Sequence, residues 1–524
     1  MVAWAVCLSA CGEGSRPRYG GELCYVRNHP GEGLDPVLIR YDNATREVAG
    51  LIYEGLVGLA PRTYELVPLL AESWELSPDR KALTFHLRRG VRFQDDPCFP
   101  GGRGREVTAW DVKYSWERNA GWRGDTWGYE AFRLVQGAEE FREGRAGHIS
   151  GIEVLGEHLL RVKFVRPDFA FLYAISGPRG YVVPREAVER YGEGFPEHPV
   201  GTGPFRLALW KQGEEMLLVR NEGYWGRDSE GRRLPYLDAI RIYDIRTYPP
   251  WPGPEEFSEG TGLGINVIFE LTSSNLEALL KEARRLGLER MYKHYFTTIY
   301  LSGFILFTFK EGSPFSRNVY LRKALLAAYP EEKNFVAEGH RRLVGLLPSD
   351  FPGADTTLPE RTCSLELAKE LLAEAGYPGG EGLPPVRFFK GAYTVRSFPA
   401  LKEAGFRPEL TDDLQDADLF YSYWLAEYPD PQSFLELLYS GCDLLGTKYH
   451  SALYDSLYEE LRSEFDPGRR RELSLKLQRI LVEDAVGLFL FQEENYYIAR
   501  FNIRNLDICF NPFRIRFFKY VWIE

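Results

Sequence analysis

The chain has 524 residues, 44% hydrophobic and 27% charged, with a formal net charge of −11. Such a length exceeds what one core holds and predicts two or three domains. The negative balance excludes a nucleic-acid reader, which needs a basic footprint, and past the N-terminus no apolar run approaches the ~20 residues of a spanning helix. Aromatic residues are abundant (31 Tyr, 33 Phe, 11 Trp); they suit cores and also a cleft that grips its ligand by stacking.

The first ten residues are apolar and end Leu8-Ser9-Ala10, followed by Cys11-Gly12. A strand is expected at Leu23 to Val26, then a Pro/Gly loop through Glu32 and Asp35-Pro36. Tyr41 and Asn43 precede Val48, Leu51, Ile52 and Leu56 at helical spacing. Alternation of period two predicts paired strands in Leu70 to Glu75 and Thr84 to Phe93, with Trp74 and Phe85 inward. Thr108, with Asp111 three residues on, opens a helix through Trp116 as a capping box does. Leu159 to Val165 reads as a strand, and the chain re-enters a sheet after Val200-Gly201-Thr202-Gly203-Pro204-Phe205. A short basic helix spans Leu276 to Leu286. Ser364 caps another, with Leu365, Ala368, Leu371, Leu372 and Ala375 inward and Gly376 and Pro378 ending it.

The stretch Tyr423-Trp424-Leu425-Ala426-Glu427-Tyr428-Pro429-Asp430-Pro431 is the most distinctive. Its two prolines fix φ and remove two donors, so it fits neither a helix interior nor a central strand, and the residues before them are pushed towards extended backbone. The outcome is a stiff aromatic loop that carries Glu427 and Asp430 into a helix. Two more helices follow, one from Leu453 to Ser463. The other is capped by Asp466 with Pro467 in first position and has Leu473, Leu477, Ile480 and Leu481 on one face. Leu488 to Phe491 reads as a buried strand, and the tail from Arg514 to Trp522 alternates like a strand.

No catalytic pattern is present: His-Glu-x-x-His, G-x-S-x-G and the Walker loop are all absent. The eight histidines are dispersed, and no pair has metal-ligand spacing. No catalytic residue, metal or cofactor is expected. Cys24, Cys98, Cys363, Cys442 and Cys509 allow at most two internal disulfides, whose pairing the sequence leaves open.

Several of these motifs, in order, resemble the oligopeptide/dipeptide-binding proteins of ABC importers (family 5). They are Leu34-Asp35-Pro36, Tyr53-Glu54-Gly55-Leu56-Val57, the Val200 to Phe205 run, Asn221 to Trp225 and Pro314-Phe315-Ser316. Ala368 to Pro378 and the Trp424 to Pro431 loop complete the series. The resemblance implies an α/β, two-lobed periplasmic-binding-protein-like fold of the large class, with an extra domain inserted in the first lobe. The expected first lobe is 20–50, 200–261 and 485–524, the inserted domain 51–199, and the second lobe 262–484, after a signal and linker at 1–19. Leu8-Ser9-Ala10-Cys11 is similar to a lipobox, which implies a lipid on Cys11 and a protein anchored at the extracytoplasmic face of the membrane.

The function implied is capture of a peptide between two lobes and its delivery to the importer's permease subunits, by a monomer without cofactor. In several members of the family the first acid of the Trp loop, an Asp, pairs with the ligand's α-ammonium; here Glu427 holds that position, with Trp424 and Tyr423 as aromatic walls and Glu32, Tyr41 and Asn43 opposite. Oligosaccharide-, metal-chelate- and haem-binding members are alternatives. The chain between Val386 and Asp418 is shorter than in typical members, which also admits a sensor or scaffold that no longer transports.

Overall fold

A computed structural model describes residues 16–27, 33–39, 43–124, 127–244, 246–247, 265–271, 273–285, 287, 289–330, 340–390, 395–442 and 444–524. Cys11, Glu32 and Tyr41 lie outside the described residues. The chain forms two compact units, Met1–Thr297 with Asn495–Glu524, and Thr298–Glu494.

In the first unit, Glu22–Arg27 buries Leu23 and Tyr25 completely and pairs in parallel with Ala239–Asp244 along its whole length. Antiparallel strands Glu215–Arg220 and Phe205–Lys211 extend the sheet on that side. On the other side Val267–Leu271 pairs with Glu22–Arg27 and, antiparallel, with the Tyr496 to Ala499 part of Gly487–Arg500. A separate four-stranded antiparallel sheet runs Ala71–Leu76, Ala82–Leu87, Leu159–Lys163, Ile152–Gly156. The paired strands expected from alternation are its first two, with Phe85 fully buried and Trp74 packed at the core's edge. Thr108 begins the helix Ala109–Ala120 with both halves of the capping box formed.

The run Val200 to Phe205 has a steric reason. A Cβ on Gly201 would lie 2.1 Å from the Ile52 carbonyl oxygen, and the Gly203 N–H donates to that same oxygen at 2.8 Å. The glycines therefore let this loop close on the end of the Asn43–Ile52 helix. Glu54, buried, then ties three motifs together by accepting from Thr202 Oγ1 (3.0 Å), the Tyr224 hydroxyl (2.8 Å) and Trp225 Nε1 (2.8 Å). A buried carboxylate needs such donors.

The tail departs from the strand expected. The Asn511 amide bonds to the Ile508 and Ile515 carbonyls, Arg514 takes a positive φ of 56°, and Phe518–Tyr520 is a 3₁₀ turn. Only Trp522–Ile523 pairs, with Ile503–Arg504. The alternation misleads because Arg516 points inward, fully buried, onto Glu47 at 2.9 Å and the Cys509 carbonyl at 2.6 Å.

In the second unit, Leu419–Leu425 lies antiparallel to the Leu301 to Phe307 part of Tyr292–Phe307. Val386–Phe389 joins it in parallel, and Pro408–Thr411 joins Val386–Phe389. Both faces are covered. Leu301, Ile305, Phe307, Leu419 and Leu425 pack with residues of the helices Val319–Ala328, Leu365–Glu374 and Phe398–Ala404. The alternate residues Phe304, Leu306, Phe420 and Trp424 are buried on the reverse. The caps expected at Ser364 and Asp466 are in place, accepting from Leu367 N and Arg469 N.

His340, in the edge strand His340–Arg342, stacks on Phe491 with ring centroids 3.9 Å apart, and its Nδ1 is buried without a partner among the described residues. Burial lowers the imidazole's pKa below its ordinary 6.5. The unfolded chain takes up a proton as pH falls through about 6.5, whereas the folded chain resists it until a lower pH. The ring's contribution is therefore complete above that value and is lost as pH falls towards the folded pKa. Denaturant midpoints between pH 5 and pH 7 are expected to show wild type losing ground to His340→Gln as the medium is acidified; parallel curves would refute this.

Candidate functional site

The Pro-rich loop leaves the end of Leu419–Leu425, and its first turn is set by Ser433. Trp424 Nε1 donates to the Ser433 carbonyl (2.7 Å), and the Glu427 N–H donates to Ser433 Oγ (2.9 Å). Consecutive strand residues face opposite ways, and the two aromatic residues divide accordingly. Tyr423 is 48% exposed, opposite Gly303, whereas Trp424 is 4% exposed, opposite Ser302. A Cβ at Gly303 would fall 2.6 Å from the Phe491 ring, so only glycine fits there. The side chain of Glu427 is half-buried.

Asp430 does other work. It is buried and forms a two-pronged ion pair with Arg470, Oδ1 to Nη2 at 2.5 Å and Oδ2 to Nε at 3.0 Å. Its Oδ1 also accepts from the Gln432 N–H, opening the Gln432–Leu435 helix. Arg470 Nη1 reaches the carbonyls of Leu461 (2.5 Å) and Glu464 (2.8 Å), so the loop is latched to the turn between the helices Ala452–Ser463 and Pro467–Glu483. Fork-to-fork pairing of this kind fixes orientation as well as distance.

A second acid approaches from the turn at Pro348 to Gly353. Phe351 packs edge-on to Tyr300 (4.9 Å) and Phe434 (5.1 Å), and Gly353 abuts Pro431 so closely that a Cβ would be 2.4 Å from its Cγ. Tyr300 also accepts, through its carbonyl, from the N–H of Ala426 (2.8 Å). Asp350, exposed on this turn, accepts from Thr298 Oγ1 (3.0 Å) and Gln492 Nε2 (2.8 Å). Burial, and then the Asp350 charge, push the Tyr300 hydroxyl above its ordinary pKa. An acid between two prolines reads as a solvated turn, and the donors that make it otherwise lie 52 and 142 residues away.

Asn43 is the first residue of the Asn43–Ile52 helix in the first unit and is half-buried. Among the described residues no group of His, Cys, Asp or Glu could hold a metal, and no helix is long and apolar enough to cross a membrane. Cys24, Cys98 and Cys509 are free thiols. Burial pushes those of Cys24 and Cys98 up to about 12, far from a reactive thiolate.

These units have the two-lobed α/β fold of the periplasmic binding proteins. The structure of the DppA peptide-binding protein from Helicobacter pylori, in complex with the peptide STSA, matches with a TM-score of 0.78 at 23% identity, over 97% of this chain and 99% of that one. The model of the bacterial extracellular solute-binding proteins, family 5, matches residues 65–397, and the chain belongs to that family. It is a solute-binding protein and not an enzyme. The periplasmic oligopeptide-binding protein OppA of Escherichia coli (strain K12) is 26% identical over 496 residues, 88% of this chain and 85% of that one. The dipeptide-binding protein of the same organism is 29% identical over 546 residues, 96% and 94%.

Proposed function

We propose that the protein captures peptides outside the cytoplasm and delivers them to the permease subunits of an ABC importer. The relatives named for oligopeptides and dipeptides, which align over most of their length, support the ligand class. The observation that carries the site is the half-buried Glu427 on a loop held rigid by the buried Asp430–Arg470 pair. Glu427 takes the peptide's ammonium, and Tyr423 offers an exposed ring. Trp424, bonded to Ser433, fixes the backbone from which both project. Asn43, Tyr41 and Glu32 are the first unit's contributions. A lipid on Cys11 anchors the protein, which acts as a monomer. The stretch 51–199 is an insertion in the first lobe, a reading supported by its own four-stranded sheet.

Native mass spectrometry of protein purified without added ligand tests this reading. Retained masses that fragment as peptides are expected. Retained oligosaccharide or metal chelate in their place would overturn the peptide assignment.

A further inference from the structure

Asp350 is an exposed carboxylate whose two partners, Thr298 and Gln492, are both neutral, and no cation pairs with it among the described residues. Arg341 stands across from Gln492 in the sheet, but its guanidinium pairs with Glu494 at 3.1 Å. The charge on Asp350 is thus held in place by hydrogen bonds and, among the described residues, left without a counter-ion. Gln492 sharpens the point. It is 0% exposed; its amide nitrogen donates to Asp350, and its amide oxygen has no donor among the described residues. Ser302 is also 0% exposed, and its hydroxyl has no partner among the described residues. Thr298, Tyr300 and Ser302 alternate along one strand and so share a face, opposite Trp424 at its Ser302 end. An unsatisfied oxygen on the side chain that holds an unpaired carboxylate favours a ligand that brings charged donors.

The position ties this group to Glu427. Tyr300 bonds the residue just before Glu427 through its carbonyl and stacks edge-on with the residue just after Asp350. The segments that carry the two carboxylates thus both adjoin Tyr300 within the second unit. We infer that Asp350, oriented by Gln492 and Thr298, is a second cation-reading position, and that the protein selects peptides whose first residue is Lys or Arg. The α-ammonium goes to Glu427 and the side-chain ammonium or guanidinium to Asp350. This rests on the peptide-binding reading above and adds to it the identity of the first residue.

The test is an equimolar pool of tripeptides X-Ala-Ala, with X being Lys, Arg, Ala or Glu, offered to the full chain, with bound members quantified by mass spectrometry. Wild type is expected to enrich the Lys and Arg members about tenfold over the Ala member, the effect of one partly desolvated charge pair. Asp350→Asn keeps an acceptor for Thr298 and should lose that preference. Asp350→Lys should reverse it towards Glu. Wild type without a preference, or Asp350→Asn that retains it, overturns the inference and leaves the peptide reading standing. Failure of wild type to hold any pool member overturns both.

Discussion

Glu427→Ala is expected to weaken peptide binding about a hundredfold or more, roughly 2.7 kcal/mol. The ligand's ammonium is a full charge that leaves water on binding, and breaking a desolvated pair on one side costs about 3 to 5 kcal/mol. Glu427 is half-buried, so the low end of that range applies. The variant should fold normally, because the local anchor is the backbone N–H of residue 427 on Ser433 Oγ, which alanine preserves. Calorimetric titration with a peptide that wild type retains measures the loss, and the thermal midpoint checks the fold. An intact variant that binds as wild type does removes Glu427 from the site.

Local patterns carried much of the fold. The caps at Thr108, Ser364 and Asp466 are short-range chemistry and lie where spacing put them, and the hairpin of Ala71–Leu76 with Ala82–Leu87 follows from alternation. Long-range polar contacts were not legible. The buried strand expected at Leu488 to Phe491 runs on to Arg500, through Gln492, Glu493, Glu494 and Asn495. Those residues look like a break, yet the ladder continues, with Arg341 across from Gln492 and Leu271 across from Tyr496. Asp430 shows the same limit. Beside two prolines it resembles a solvated turn acid, and only the fold brings Arg470, 40 residues on, to meet it.

That pair is where the second large effect is expected. Arg470→Ala should destabilise the protein by about 3 to 5 kcal/mol, since it strands a buried carboxylate and strips donors from the carbonyls of Leu461 and Glu464. Denaturant titration followed by tryptophan fluorescence reports the loss, with Trp424 next to the affected loop; a change under 1 kcal/mol would refute the latch (about the value of an exposed pair). Stability and positioning can then be separated. Asp430→Asn with Arg470→Met removes both charges and keeps an acceptor for the Gln432 N–H, and neutral replacement of a buried pair often restores stability. If the latch also aims Glu427, the double variant should recover most of its stability and still bind peptide about tenfold more weakly than wild type. Recovery of affinity along with stability would mean that the prolines and Ser433 alone hold the acid in place.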